Sequence, residues 1–268
     1  KKREIVVPPI RDRVVHRMVY QYLVPIFDKT FIYDVWSCRK GKGLQGAIER
    51  TQFFANKYKN GFVWRADIKK FFDSVDQDIL LGLIKKKIQD DETIWLIGEI
   101  IRSFEKQQKK GLPLGNVTSQ LFANIYLNKL DQFIKHKLKI KCYLRYCDDF
   151  IILKKNEKEL TEIVRLIDNF LKDRLKLNMH TDKIIIRKYH QGIDFLGYVI
   201  LPDYRVLRTK TKRRIFNKIK RNYQDLQEGL LFKESFSQSL RSYFGVLKHC
   251  RGHKIKKKIL GLIANEKF

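Results

Sequence analysis

Apolar positions recur with two different periods along this chain, and the changes of period divide it into elements. Val14, Val15, Met18, Val19, Tyr22 and Leu23 fall at helical spacing and predict a helix over 11–27. A loop ending in Ser37-Cys38-Arg39-Lys40-Gly41-Lys42-Gly43 interrupts the pattern, and a helical run resumes to about Tyr58. Phe62-Val63-Trp64-Arg65-Ala66-Asp67-Ile68 reads as a strand that ends in a carboxylate. Asp76 is placed to cap a helix from Gln77 to Ile88. A second helix runs from about Glu92 to Phe104. Gly111-Leu112-Pro113-Leu114-Gly115 then breaks the chain ahead of a long amphipathic helix from Thr118 to about Leu138.

Two short apolar strands, Cys142–Arg145 and Phe150–Leu153, flank Tyr146-Cys147-Asp148-Asp149 and predict a hairpin. A charged helix from Glu157 to Leu175 follows, then Ile184–Arg187 and Ile193–Ile200 as a closing pair of strands. From Arg208 onward the pattern is helical and very basic. No internal repeat or low-complexity linker divides the chain. This order suits an α+β layer, an antiparallel sheet backed by helices. It brings Asp67 beside Asp148 if their strands are neighbours.

Charge narrows the choice of partner. The net charge of +28 over 268 residues favours a polyanion, because Lys and Arg near phosphates gain affinity by releasing counterions. An anionic membrane surface is the competing partner, but the charge is spread through a folded pattern rather than gathered in one basic helix. No apolar run reaches membrane-span length and nothing at the N-terminus reads as a signal peptide. Because the first residue is Lys1, the chain is expected to be trimmed from something longer. Cys38, Cys142, Cys147 and Cys250 form no CxxC pair and read as reduced thiols. His249, Cys250 and His253 lack the second ligand pair that a structural zinc site needs.

Two readings stand for Asp148-Asp149 taken alone. Asp is common in turns, so the pair could be an ordinary acidic hairpin tip. Adjacent carboxylates between apolar strands are also costly unless a cation neutralises them, and hard divalent ions take oxygen ligands. With Asp67 as a third carboxylate, the set could hold two Mg²⁺ ions, with Mn²⁺ as a substitute, and support phosphoryl displacement.

The motifs around the carboxylates resemble those of reverse transcriptases, in order, from about Arg11 to Tyr198. Ala66-Asp67-Ile68-Lys69-Lys70-Phe71-Phe72-Asp73 is similar to the family's first carboxylate motif. Gly111 to Gln120 resembles its template- and nucleotide-contacting loop and helix, and Tyr146-Cys147-Asp148-Asp149 its tyrosine-x-Asp-Asp signature. Leu177-Asn178 with Lys183 resembles the later lysine motif, and Phe195-Leu196-Gly197-Tyr198 the primer grip. The resemblance implies a right-hand polymerase: fingers over 1–60, palm over 61–75, fingers and palm helices over 76–110, palm again over 111–202, and a basic helical thumb over 203–268. It further implies an RNA template, a primer and growing cDNA strand, and deoxynucleoside triphosphates as partners. Leu114-Gly115 and Ser119-Gln120 depart from the Gln-Gly and Ser-Pro of intron and retron enzymes. In this they resemble the reverse transcriptases of diversity-generating retroelements, which implies mutagenic retrohoming, a basic accessory protein, and a cytoplasmic prokaryotic or phage-encoded setting. A group II intron, retron or antiphage-type enzyme is the alternative, and a non-catalytic RNA-binding module is a rival of another class.

Residue by residue, the resemblance makes Asp67 and Asp148 metal ligands, with the Ile68 carbonyl as a further one and Asp149 as a weaker or second-metal ligand. Lys183 matches a lysine that protonates the leaving pyrophosphate, against a plain strand-end lysine. Phe72 matches the steric gate against a 2′-hydroxyl, with Phe71 as core. Arg39, Lys40 and Lys42 are candidates for triphosphate oxygens, against a solvated basic loop. Leu114, Gly115 and Gln120 border the nucleotide pocket. Leu114 cannot hydrogen-bond a base, so discrimination there rests on shape, unless it merely packs. Phe195, Leu196, Gly197 and Tyr198 face primer and template, against a plain core strand. No second carboxylate cluster or cysteine array for a nuclease is present.

Overall fold

The computed structural model describes residues 5, 7–58, 60–104, 106–180 and 185–265. The chain divides into two compact units, one of Lys1–Ala47 with Gly61–Arg187, the other of Ile48–Asn60 with Lys188–Phe268. The elements of the first unit are α1 (Ile10–Phe27), the start of α2 (Leu44–Lys57), β1 (Phe62–Asp67), the one-turn α3 (Phe71–Ser74), α4 (Gln77–Lys85), α5 (Asp91–Arg102), α6 (Val117–Gln132), β2 (Tyr143–Tyr146), β3 (Asp149–Lys154), α7 (Glu157–Leu175) and most of β4 (Ile185–Lys188).

Its sheet runs in the order β2-β3-β1-β4. Antiparallel register sets Trp64 against Ile152, Ala66 against Phe150 and Asp67 against Asp149. Strand side chains alternate, so Trp64 and Ala66 share one face with Phe150 and Ile152, while Arg65, Asp67 and Asp149 share the other. The first face joins the core with Leu121, Phe122, Leu160, Ile163 and Ile167 of the helices. Trp64 meets Phe150 edge-on at 5.4 Å. Burying Phe150 completely stabilises the unit by about 1.5–3 kcal/mol. Hydrophobic spacing explains the helices too: α7 buries Leu160, Ile163, Ile167, Leu171 and Leu175, one stripe of a 3.6-residue period.

Local chemistry sets the helix ends. Asp76 accepts from Ile79 N at 2.9 Å, Asp90 from Thr93 N at 2.7 Å and Asn156 from Lys158 N at 2.9 Å. The expected helix to Leu138 changes type within its length. α6 stops at Gln132 and widens into a π-helical turn, Phe133–Lys137, which keeps Leu130 and Ile134 both buried.

The second unit carries a separate three-stranded sheet, β5 (Ile193–Phe195), β6 (Tyr198–Ile200) and β7 (Arg205–Leu207), followed by α8 (Thr209–Gln227), α9 (Lys233–Lys248) and α10 (His253–Asn265). The expected closing pair of strands is therefore corrected. Ile185–Lys188 lies beside β1, whereas 193–200 folds back on itself as a hairpin in another sheet. Turn chemistry is the reason. Leu196 and Gly197 both take positive φ, 50° and 89°, and a two-residue turn of that hand joins adjacent antiparallel strands. Tyr223 packs on Phe236 and donates to Ile263 O at 3.3 Å, joining α8, α9 and α10.

Candidate active site

The β2–β3 hairpin holds the two adjacent aspartates. Tyr146 pairs with Asp149, so Cys147 and Asp148 form a two-residue turn, with Cys147 at φ 52°. A left-handed cysteine is strained, and such strain persists only where surroundings over-determine it. Here the Cys147 N–H donates to Ser37 Oγ at 2.8 Å and its carbonyl accepts from Arg145 Nη1 at 3.0 Å.

Beneath the turn lies a buried network that the sequence reading missed. Arg145 and Asp131 are both fully buried and paired at 2.6 Å. Arg145 Nε also reaches Asp131 at 2.8 Å, its Nη1 reaches Asn124 at 3.0 Å, and Tyr143 OH donates to Asp131 at 2.6 Å. Burial opposes the charge on Arg145, but Asp131 beside it outweighs burial and holds the guanidinium ionised. A charged residue inside an apolar strand was the available signal.

Asp148 is placed quite differently. Its carboxyl is pushed up to about 7, first by burial, then by the nearby charges of Asp67 and Asp149. Asp67 and Asp149 face each other in register across β1 and β3, and Asp149 accepts from Arg65 at 2.9 Å. Ile68 bridges Met179, but the bonds of that bridge run from His180 N to Asp67 O and from Lys69 N to Asn178 O; the Ile68 carbonyl takes no part in them. Among the described residues no group of three or more His, Cys, Asp or Glu side chains stands at metal-holding spacing. The donor chemistry nevertheless fits a hard cation: partly buried carboxylates, one of which burial and then its neighbours' charges drive toward protonation. The fold thus brings Asp67, Asp148 and Asp149 together, while Lys183 lies outside the described residues.

The remaining candidates separate. Phe72 is half-buried and packs edge-on against Phe71, which is buried in the core. Leu114 is half-buried, and Gly115 and Gln120 are exposed. Arg39 turns inward: its three nitrogens donate to the Asp28 carboxylate and to the carbonyls of Asp28, Ile32 and Val35. Its donors brace the loop rather than facing a ligand, which corrects the expected triphosphate contact. Lys42 donates to Tyr33 O at 3.0 Å, with its ammonium 3.4 Å from the Tyr33 ring and 4.1 Å from that of Trp36. Lys40 is exposed. In the second unit Phe195 and Tyr198 are buried, with Leu196 and Gly197 at the hairpin tip between them.

Two features were not foreseen in detail. A cavity of about 310 Å³ opens between α1 and the start of α6, lined by Arg13, His16, Arg17, Gly115, Asn116 and Val117 among others. Asn116 is buried, precedes α6 without capping it, and its Oδ1 lacks a partner. Free N–H groups at a helix start and two arginines suit an anion. In the second unit, Lys210, Arg214, Asn217, Lys218 and Arg221 of α8 line a groove of about 670 Å³, a basic stripe at helical spacing.

With this geometry in view, likeness to known proteins decides the family: residues 1–200 match the family described as Reverse transcriptase (RNA-dependent DNA polymerase). The chain belongs to the reverse transcriptase family. Among its curated relatives, Protein YkfC of Escherichia coli (strain K12) is 24% identical over 242 residues, 75% of this chain and 64% of that protein. The group II intron-encoded protein LtrA of Lactococcus lactis subsp. cremoris is 26% identical over 284 residues, covering 80% of this chain and 46% of LtrA. The chain thus spans about half to two thirds of these relatives. Apo telomerase from Candida tropicalis aligns with TM-score 0.57 at 13% identity, over 94% of this chain and 54% of that one. The fold is accordingly that of a right-hand polymerase, with mixed helices and antiparallel sheet. No helix among the described residues of this chain is long and apolar enough to cross a membrane.

Proposed function

We propose that this chain is an RNA-directed DNA polymerase that extends a primer 3′-hydroxyl along an RNA template with deoxynucleoside triphosphates. The observation that carries the proposal is Asp148 at the β2–β3 turn, raised toward protonation by burial and by Asp67 and Asp149. Asp67 and Asp148 would hold Mg²⁺, or Mn²⁺ in its place, with the Ile68 carbonyl and Asp149 as further oxygens. A bound divalent ion supplies charge neutralisation at the attacking and leaving oxygens of a phosphoryl transfer.

The protein's own residues do the positioning. Arg65 fixes Asp149 across the strand pair. Phe72, its ring backed by Phe71, is the sugar gate. Leu114, Gly115 and Gln120 border the incoming nucleotide, Lys40 is exposed for its phosphates, and Arg13, Arg17 and the start of α6 offer anion contacts. Lys183 is the proton donor to the leaving group. Phe195 to Tyr198 grip the primer, and the α8 stripe tracks a duplex through phosphates without base readout. Primer extension on an RNA template tests the reading; equal activity in wild type and Asp148→Asn defeats it.

For the subfamily, the relatives favour an intron-type enzyme, since LtrA is a group II intron-encoded protein. Leu114-Gly115 and Ser119-Gln120 support the second reading, a diversity-generating retroelement with a basic accessory protein. Sequencing cDNA made on a defined RNA separates them. Errors gathered at template adenines, reduced by Leu114→Gln, favour the second; evenly spread errors favour the first.

A further inference from the structure

Cys38 and Cys147 are thiols that the proposed chemistry leaves idle, and the fold holds them together at the catalytic turn. The loop before Cys38 lies along β2 like an added parallel strand. Val35 bridges Arg145, Arg145 N donates to Asp34 O, and Trp36 N donates to Arg145 O, both at 3.0 Å. One step further, Ser37 Oγ accepts from Cys147 N at 2.8 Å, and Ser37 O accepts from Asn124 Nδ2 at 3.0 Å. This register delivers Cys38 to the Cys147-Asp148 turn, where its thiol lies beside that of Cys147.

Both cysteines have left-handed backbones, φ 54° and 52°. An L-residue adopts that conformation only against backbone strain, so each is held there by its neighbours. Cys38 is exposed and Cys147 half-buried, which gives a small oxidant a route to the pair.

We propose that Cys38 and Cys147 form an oxidisable dithiol site, closed to a disulfide by peroxides, that shuts down the adjacent active site. The inference about shutdown rests on the polymerase reading; the disulfide itself does not. The sulfur of one cysteine attacks a peroxide oxygen, the O–O bond breaks, and one water leaves as that cysteine becomes a sulfenic acid. The sulfur of the other then attacks it, the S–O bond breaks, and the second water leaves. Two thiols lose two electrons and hydrogen peroxide gains them. A disulfide needs its sulfurs about 2.05 Å apart, far closer than two unbonded thiols stand, so closure draws the loop and the turn together. Asp148 is the next residue, and displacing a reacting group by about 1 Å costs on the order of 10²-fold in rate.

The test treats the purified protein with hydrogen peroxide and reads two signals, non-reducing peptide mass and primer extension. The site predicts a Cys38–Cys147 cross-linked peptide about 2 Da lighter than the two thiol peptides. It also predicts a loss of extension of tenfold or more, with dithiothreitol reversing both. Cys38→Ser should extend normally without peroxide and resist it; Cys147→Ala is the second variant that cannot cross-link. Absence of the cross-link overturns the site whatever the activity. A cross-link with extension unchanged, or equal peroxide sensitivity in Cys38→Ser, overturns the shutdown. If untreated protein extends no primer while the cross-link forms, the polymerase reading fails and the dithiol site stands.

Discussion

Two aspartates near strand β2 show what a fold does with a carboxylate it needs for structure and one proposed for chemistry. Asp131 is completely buried, yet Arg145 grips it through two nitrogens and Tyr143 donates a third bond. Asp148 stands three residues beyond Arg145, and burial raises it first, followed by the charges of Asp67 and Asp149. The first arrangement satisfies an ion inside the protein. The second crowds carboxylates together, which suits the cation proposed to bind there. The two are also coupled, because Arg145 Nη1 donates to the Cys147 carbonyl in the β2–β3 turn. The structural pair thus helps set the position of the turn that carries Asp148.

Breaking the structural half should have the largest effect. Removing one partner of a buried ion pair strands the other charge, and such losses run to about 3–5 kcal/mol. Asp131→Ala should therefore lower the urea midpoint sharply, and extension should fall with it. Breaking the chemical half should separate stability from activity. On the proposed function, Asp148→Asn removes metal-binding charge worth several kcal/mol at the transition state, so extension should fall on the order of 10³-fold. Its melting temperature should hold or rise, because repulsion from Asp67 and Asp149 is relieved. A matching fall in stability would contradict the contrast.

The pH dependence sharpens it further. Asp148 has its folded pKa near 7, above its ordinary value of 3.8. Between those values the folded state holds more protons than the unfolded one, so stability falls as pH rises from about 4 to 7. Metal-free protein should show this slope in urea titrations, and Asp148→Asn should flatten it. A slope that survives in Asp148→Asn would assign it to another group.

Much of this was legible before any coordinates, for local reasons. The spacing of Leu160, Ile163 and Ile167, the Asp76 cap, and the apolar strands on either side of Asp148-Asp149 are all short-range signals. The hidden parts depend on distant partners. Asp131 sits in α6 with nothing in its own helix to mark it as buried, since its cation lies on β2. The separation of 185–188 from 193–200 turned on which strand each could pair with, and an alternating pattern carries no such address. Arg39 read as a phosphate ligand because charge in a glycine-containing loop shows; the Asp28 carboxylate that claims it does not.

The smallest expected effect tests whether burial, rather than pairing as such, separates the two halves. Arg65 also pairs with an aspartate across the sheet, donating to Asp149 at 2.9 Å. Its side chain and that of Asp149 are 28% and 26% exposed, however, against 0% for both Arg145 and Asp131. Water therefore screens the Arg65 pair and solvates whichever partner is left alone, and partly exposed pairs contribute about 1 kcal/mol or less. Arg65→Met should cost no more than that in urea denaturation, and added salt should shrink the difference. Freed of its arginine, Asp149 should compete better for cations, so half-maximal extension should need less Mg²⁺ than in wild type. A loss as large as that of Asp131→Ala would mean that Arg65 belongs to the scaffold, and that the boundary between structural and reactive charge runs along β1 rather than through the turn.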